Sequence, residues 1–328
     1  MPFGIIDQII KSITYVRLLV TFEADEEIIL PRFTKGATFR GCLGDAFRKQ
    51  VCKFDRMLPC EQCIIRFECP FFQLFSNELQ KNHPGYGRYT KPPKSYIINP
   101  MPDNSVKFEK GSRFWFELIL IGESAEIFLQ YIPRIIRAMG EEGIGKGHKK
   151  FHPVDLSFEN QAGVFETLPA IGLPFVHGLS NTRERSIHDK VTLHFETPLR
   201  LESNGNYEES IPEFDRFAKA LFQRLALMAT IYCKMPWFDI EKSLSEIESG
   251  INIRDHHLVW KKHIHFSSET GNSTGTGKKE KAKWLNGYTG KISYTGAIEP
   301  WSALLWAGER IHIGSTATFG YGKFRIVL

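Results

Sequence analysis

Four cysteines that lie close together carry the clearest spacing for chemistry in the chain. The pattern is C-x7-C-x2-C-x5-C, made by Cys52, Cys60, Cys63 and Cys69. Two thiolates on one C-x2-C turn can reach the same ion, and four thiolates saturate a tetrahedral zinc ion. Such a site would be structural, and the folding of its loop would depend on the metal. An iron–sulfur cluster, or four reduced cysteines without metal, fits the same spacing.

A second unusual stretch, HIGSTATFGYGK, lies at residues 312–323. It repeats glycine, at Gly314, Gly320 and Gly322, in what otherwise reads as a strand. Because glycine costs backbone entropy in a strand, the repetition needs a reason. One reason is a tight bulge that binds nothing. The other is a backbone surface on which free N–H groups bind a phosphate.

Two further segments combine basic residues with glycine. Residues 267–283 are polar and glycine-rich and contain Lys278 and Lys279. They predict either a solvated flexible loop or a disordered basic arm that closes on a polyanion. The stretch HPGYGRYTKPP, residues 83–93, interleaves tyrosines with basic residues. That composition is typical of base stacking and phosphate contact, but it is weak as a motif.

The elements that must position these residues begin with the order βαββαβ in residues 1–160. Periodicity predicts strands at 12–24, 95–100, 112–122 and 150–160 and helices at 38–52 and 125–140. Pro133 predicts a kink in the second helix or a later start for it. Scattered glycines and prolines predict a linker at 161–188.

Residues 189–328 repeat the same order of elements. Strands are predicted at 190–201, 256–268 and 286–298, helices at 212–232 and 301–309, and the glycine-broken strand follows. Two such units predict an α+β fold of tandem ferredoxin-like (RRM-like) domains, with a cysteine-rich insert at 52–94 in the first. An unrelated α+β protein is the alternative.

Composition limits the class of protein. The chain has 328 residues, 42% of them hydrophobic, which is enough for two domains with real cores. No apolar run of 18 residues and no signal peptide is evident, so we expect a cytoplasmic protein with no membrane partner. The net charge of +5 permits a nucleic-acid partner without requiring one. Six cysteines without a secretion signal argue against a disulfide scaffold.

The stretch WLNGYTGKISYTGAIEPWSALLWAGERIHIGSTATFGYGKFRI, residues 284–326, resembles a known family. The family is that of the CRISPR-associated endoribonucleases of the RAMP superfamily that process precursor CRISPR RNA (Cas protein six). The matching motifs are G-Y-T-G, L-L-x-x-G-E and I-H-I-G-x-x-x-x-F-G-x-G-K. In the first half, PRFTKGATFRGCLGDAFR, the cysteine insert and EEGIGKGHKKFHPVDL resemble one branch of the family.

The resemblance implies a metal-independent endoribonuclease that cleaves within CRISPR repeat RNA. The ribose 2′-OH attacks the adjacent phosphate, giving a 2′,3′-cyclic phosphate and a 5′-OH end. The implied partners are repeat RNA, the mature guide RNA and other subunits of a CRISPR effector complex. No cofactor is implied for catalysis, and zinc would be structural. A non-catalytic RNA-binding RAMP subunit is the main alternative, and a metal-dependent or redox protein built on the cysteines is the third.

The reaction needs a base for the 2′-OH proton, an acid for the leaving oxygen and a cation for the phosphate charge. Histidine suits the proton transfers. His263 and His265 alternate on one predicted strand and so share a face, which makes them the leading catalytic pair. His148, in the G-x-G-H-K-K turn, is a second candidate. Candidate RNA-binding residues are Arg40, Arg48, Lys146, Lys149, Lys150, Lys262, Lys278, Lys279, Gly314, Ser315, Gly320, Gly322 and Lys323.

The chain departs from the family pattern at two places. Ser315 stands where the family often has a lysine after the first glycine of the loop, which removes one implied phosphate contact. His265-Phe266-Ser267 stands where the branch often has Arg-Tyr-Ser. The resemblance therefore does not supply a fixed catalytic triad for these positions.

Overall fold

Helices and antiparallel strands alternate along the described part of the chain. The computed structural model describes residues 3–54, 58–76, 78–167, 174–181, 187–203, 206–268 and 280–328. The helices are α1 Phe3–Ser12, α2 Lys35–Val51, α3 Pro70–Phe75, α4 Glu123–Leu129, α5 Ile132–Glu142, α6 Phe214–Tyr232, α7 Ile240–Ser245 and α8 Ser302–Ile311. The strands are β1 Thr14–Ala24, β2 Ile28–Ile29, β3 Tyr96–Pro100, β4 Lys107–Phe108, β5 Arg113–Ile121, β6 Phe151–Glu159, β7 Phe165–Thr167, β8 His177–Gly178, β9 Lys190–Leu199, β10 Glu202–Ser203, β11 Asn206–Tyr207, β12 Asn252–Lys261, β13 Ile264–Ser268, β14 Glu280–Trp284, β15 Gly287–Thr295 and β16 Phe324–Val327.

The first sheet has the strand order β3-β5-β1-β6-β7, and β8 pairs with β1. All of its pairings are antiparallel. Val16, Leu18 and Phe22 alternate along β1 and are buried in one apolar cluster with Phe39 and Phe47 of α2. This period of two is the pattern that predicts the strand, and burial of these side chains is what holds α2 on the sheet.

The second sheet has the order β12-β15-β9-β16, again antiparallel throughout. Val191, Leu193 and Phe195 of β9 are buried in a cluster that also contains side chains of α6 and α8. The chain is thus a mixed α/β fold built on two antiparallel sheets. None of its described helices is long and apolar enough to span a membrane.

The two halves of the chain contact one another directly. Helix α1 packs on α6 and α8, and its Ile6 and Ile9 belong to the apolar cluster of the second half. The cysteine insert also reaches across, because Tyr89 donates to a carboxylate oxygen of Glu241 at 2.7 Å. The 3-10 turn at Ala317–Phe319 contacts β3 and α2. These contacts bring the glycine-rich stretch 312–323 against the start of α2.

Three sequence predictions about elements change in the structure. The predicted helix 125–140 is two helices, α4 and α5, with Pro133 in the first turn of α5, where its missing N–H costs nothing. Parts of the predicted linker join the first sheet as β7 and β8. The predicted strand 256–268 is broken: β12 pairs with β15, whereas β13 pairs with β14.

The last predicted strand is mostly a loop. Only Phe324–Val327 is extended. Gly314, Gly320 and Gly322 have φ angles of +95°, +82° and +66°, in the left-handed region and outside the β region of regular strands. We call residues 312–323 the glycine-rich loop.

Candidate active site

His263 lies in the short break between β12 and β13, beside the glycine-rich loop. Its backbone is fixed on both sides: the N–H of Leu285 donates to the His263 carbonyl at 2.8 Å, and the His263 N–H donates to Oδ1 of Asn286 at 3.3 Å. The break explains why His263 and His265 are not two positions of one continuous strand, as the sequence predicts. The side chain of His265 lies outside the described residues.

The ring of His263 is held between the two halves of the chain. It stacks on Phe33, with ring centroids 4.5 Å apart and an interplanar angle of 1°. Its Nδ1 lies 3.2 Å from the hydroxyl oxygen of Tyr321 in the glycine-rich loop. The Tyr321 hydroxyl in turn donates to the carbonyl of Phe33 at 3.2 Å. We call His263, Phe33 and Tyr321 the junction site.

The hydrogen bonds of Tyr321 select one tautomer of the imidazole when its hydroxyl donates to the Phe33 carbonyl. The hydroxyl has a single proton, so in that arrangement its oxygen accepts from His263. Nδ1 then carries the ring proton, and Nε2 presents a lone pair. Burial raises the pKa of Tyr321, which keeps the phenol protonated.

The imidazole of His263 is neutral at neutral pH. Burial lowers its pKa below the ordinary value, and the neighbouring ammonium of Lys261 lowers it further. A neutral imidazole with a free Nε2 can accept a proton, which is the requirement for a general base.

Exposed cations stand close to the junction site. The guanidinium of Arg32 lies 5.3 Å from the centroid of the Phe33 ring, on which His263 also stacks. Lys261 and Lys262 are exposed just before His263 in the chain. An anionic phosphate near Nε2 would therefore have positive charge around it. By contrast, Lys35 is buried and its ammonium is paired with Asp103 at 2.8 Å.

The glycine-rich loop is shaped by close backbone contacts. A Cβ at Gly322 would lie 1.7 Å from the carbonyl oxygen of Ile313, so only glycine fits there. The buried guanidinium of Arg224 donates to the carbonyls of Ile311 and His312, which ties the start of the loop to α6. The loop thus holds the Tyr321 hydroxyl against the start of α2.

The loop N–H groups predicted to bind phosphate already have acceptors within the protein at three residues. The N–H groups of Ser315, Gly320 and Gly322 donate to the carbonyls of Arg200, Ala317 and Pro198. The Lys323 N–H donates to the Thr197 hydroxyl at 2.9 Å. These four donors are therefore used to fold the loop.

The predicted basic residues lie in different parts of the molecule. Arg40 binds the Tyr96 hydroxyl at 3.0 Å and lies over the ring of Phe319, so it connects α2 with the loop. The Lys323 ammonium pairs with Glu196 at 3.2 Å. Arg48 donates to the Leu58 carbonyl in the cysteine insert. Lys278 and Lys279 lie outside the described residues.

The turn that contains His148 is separate from the junction site. His148 is exposed, with a φ of +49°, between α5 and β6. Lys149 and the backbone of Lys150 bind Glu26, and the Lys150 ammonium donates to the Glu141 carbonyl. Lys146 is exposed. Within the described ranges, no contact joins this turn to His263.

The four cysteines of the insert line one cavity together with Arg48. Cys52 ends α2, Cys63 and Cys69 end short 3-10 turns, and Cys60 begins one. Burial raises the pKa of the Cys60 thiol, and the neighbouring Cys69 and Cys52 raise it further. The positive charge of Arg48 lowers this pKa. The thiols are neighbours, yet no group of three or more His, Cys, Asp or Glu in the described ranges is positioned to hold a metal ion.

Sequence reasoning misses Phe33, Tyr321 and Arg32. Both aromatic residues stand inside notable stretches, PRFTKG and FGYGK, but it is the glycines and basic residues of these stretches that suggest function. The roles of the two aromatic residues depend on contacts with a histidine far away in the chain. A single sequence contains no local pattern that reports such contacts.

Comparison with known proteins finds family models that match each half of the chain. Residues 193–324 match the family model of the CRISPR-associated endoribonuclease Cas6, and residues 13–171 match a family model described as an N-terminal domain. No curated protein sequence matches the chain.

Solved structures of Cas6 proteins have the same fold. The product complex of a Cas6 aligns with a TM-score of 0.54 at 11% identity, covering 96% of this chain and 99% of that one. The Thermus thermophilus Cas6 aligns with a TM-score of 0.52 at 10% identity, again covering 96% of this chain and 99% of that one. A chain of a partial Cas6-RT-Cas1–Cas2 complex aligns with a TM-score of 0.54 at 12% identity, covering 96% of this chain and 46% of that one. Residues 193–324 thus match a Cas6 endoribonuclease domain, as the sequence resemblance predicts, and the chain has the fold of solved Cas6 structures.

Proposed function

We propose that the chain is a metal-independent endoribonuclease that cleaves within CRISPR repeat RNA and yields guide RNA. The observation that carries the proposal is the neutral His263, with its Nε2 free, at the junction site. The Cas6 family match supports the same activity. The likeness to the Cas6 part of a Cas6-RT-Cas1–Cas2 complex supports partners within a CRISPR assembly.

The reaction is an internal transesterification. Nε2 of His263 accepts the proton of the ribose 2′-OH, and the oxygen attacks the adjacent phosphorus. The bond from phosphorus to the 5′-oxygen breaks, which leaves a 2′,3′-cyclic phosphate. The leaving oxygen takes a proton from solvent water to become a 5′-OH, and the protonated His263 returns its proton to solvent. Arg32 and Lys261 stabilise the negative charge that develops on the phosphate oxygens.

We also propose that residues 1–160 and 189–328 form two ferredoxin-like units joined by 161–188. In chain order, the main strands of the first sheet are β1, β3, β5 and β6, and those of the second are β9, β12, β15 and β16. Numbered one to four, each set has the spatial order two-three-one-four. A ferredoxin-like βαββαβ unit has this arrangement.

Incubation of the purified protein with repeat RNA in EDTA is expected to give one cut. The upstream fragment should end in a 2′,3′-cyclic phosphate and the downstream fragment should begin with a 5′-OH, because the nucleophile is the internal 2′-OH. End-group analysis by mass spectrometry measures both. Tight binding without any cut would instead identify a non-catalytic RAMP subunit. Cleavage that appears only with added divalent metal would overturn the proposed mechanism.

We infer in addition that the four insert cysteines hold a structural zinc ion once their sulfurs close on it. The shared cavity supports this, and so does the small apolar burial between Cys60 and Cys69: the two 3-10 turns at Cys60–Gln62 and Arg66–Glu68 contribute no buried residue. A segment that buries so little apolar surface needs another constraint. The zinc would fix the insert and take no part in cleavage.

Elemental analysis of the purified protein is expected to find one zinc per chain, lost in Cys60→Ser and Cys63→Ser but kept in Cys233→Ser. Chelation should lower the melting temperature, because a metal that binds only the folded state stabilises it. Iron in place of zinc would indicate a cluster. Absence of metal, with all insert thiols open to titration, would establish the metal-free alternative.

A further inference from the structure

The second sheet carries four basic side chains in one row across its strands. His257 of β12 pairs with Lys291 of β15, Lys291 pairs with His194 of β9, and His194 pairs with Arg325 of β16. Directly paired residues of antiparallel strands lie on the same face of a sheet. With strands about 4.8 Å apart, the row spans roughly 14 Å. We call these four residues the basic row.

The basic row is on the face of the sheet that does not pack on α6 and α8. Ile292 and Leu193, each next to a row residue in its strand, point the other way and are buried in the core. Lys291, His257 and Arg325 are exposed, and His194 is half-buried. The four side chains are therefore accessible from one side.

Most of the row is not neutralised within the protein. Arg325 pairs with Glu196 at 2.5 Å. No hydrogen bond or ion pair of the described residues involves the Lys291 ammonium or the imidazoles of His194 and His257. The row thus offers one unpaired ammonium with an imidazole on either side of it.

The polar residues beside the row are already satisfied by one another. Ser293 donates to Oδ1 of Asp255 at 3.0 Å, and the hydroxyls of Thr192 and Ser293 are 3.0 Å apart. These residues form the next transverse row of the same face. Asp255 flanks the basic row on one side and Glu196, which is paired with both Lys323 and Arg325, flanks it on the other, so an anion is favoured at Lys291 itself.

The first sheet offers no comparable cationic surface on its face opposite α2, as far as the structure describes that sheet. Its central cation, Arg17, is clamped by Glu117 at 2.8 Å and by Glu159 at 2.7 Å. Two carboxylates against one guanidinium leave this part of the face negative. A polyanion is therefore directed to the second sheet.

We infer that the basic row binds the phosphate backbone of single-stranded RNA that crosses β12, β15, β9 and β16. The inference rests on the proposed function only in taking RNA as the ligand. The row contains no Phe, Tyr or Trp to stack bases, so it contacts backbone phosphates and positions the strand. His257 precedes His263 by six residues, at most roughly 20 Å of extended chain, so one RNA reaches both places.

Fluorescence anisotropy with a labelled 20-nucleotide oligouridylate, titrated at several salt concentrations, tests the inference. Lys291→Glu is expected to weaken binding by about tenfold, because it removes one charge-assisted contact with a phosphate. Lys291→Ala should reduce the slope of log affinity against log salt by about 0.7, the value for one phosphate on a single strand. His257→Ala should weaken binding less than Lys291→Glu. His256→Ala is the matched control, because His256 is exposed on the same strand but on the other face.

Wild-type affinity and salt slope in both Lys291 variants would overturn the inference, and so would an equal loss in His256→Ala. This result is independent of cleavage, because the oligouridylate assay measures binding alone. If the wild-type protein binds through Lys291 but never cuts repeat RNA, the proposed nuclease activity fails and the basic row stands. If it cuts RNA but the Lys291 variants bind normally, the row fails and the nuclease stands.

Discussion

Replacement of His263 by alanine is expected to lower the rate of repeat-RNA cleavage by about 10²–10⁴-fold, the usual effect of losing a general base. In the proposed mechanism the neutral imidazole of the junction site is the proton acceptor. Single-turnover kinetics with saturating protein measure the chemical step directly. RNA affinity should stay close to wild type, because the imidazole is uncharged and makes no ion pair with phosphate.

The pH dependence follows from the same residue. The proposed mechanism requires the unprotonated imidazole, so the rate is expected to rise with pH as His263 loses its proton. Because burial and Lys261 lower the pKa of His263, the midpoint of this rise should lie below about 6.5, the ordinary value for histidine. An unperturbed or raised midpoint would argue for a different base.

Tyr321→Phe separates proton placement from the presence of the ring. The variant keeps the aromatic ring but removes the oxygen that accepts from Nδ1 of His263, so the imidazole loses its tautomer preference. We expect a loss of about tenfold in rate, smaller than for His263→Ala. His256→Ala, at an exposed position of β12, is the control and should cleave normally. Full activity of His263→Ala would remove His263 from the mechanism and direct attention to His148.

The sequence predicts the repeated order of elements because each core strand and helix has its own period. The alternation of Val16, Leu18 and Phe22, and of Val191, Leu193 and Phe195, is visible without any tertiary information. His263 is selected by residue type and by the resemblance. Its neighbours Phe33 and Tyr321 follow from contacts across the halves, which local periodicity does not encode.

The glycine-rich loop shows where local reasoning fails for a physical reason. Repeated glycine permits either a ligand-binding backbone or a tightly folded one, and the residues are the same in both cases. Which applies depends on where the N–H groups of Gly320 and Gly322 go, and they go to carbonyls of the protein. The loop serves the site through the Tyr321 side chain.

Gly36→Ala is expected to destabilise the protein by about 1–3 kcal/mol and to lower cleavage as well. Gly36 is buried in the first turn of α2, and a Cβ there would lie 2.0 Å from the carbonyl oxygen of Phe319 and 2.8 Å from its carbon. Both atoms are backbone, so the turn at Ala317–Phe319 must move away from α2. Overpacking of this kind has a cost in the stated range.

The matched control is on the same helix. Gly41 is exposed, and a Cβ at this position would have no atom within 4 Å, so Gly41→Ala should stabilise the protein by about 0.5–1 kcal/mol through helix propensity alone. Urea unfolding of both variants gives the two free energies. Displacement of the loop moves the Tyr321 hydroxyl away from the Phe33 carbonyl. The Gly36→Ala protein should therefore lose cleavage activity even under conditions where it is fully folded, whereas the Gly41→Ala protein should keep it. Equal stability and activity of the two variants would show that contact between α2 and the loop does not position His263.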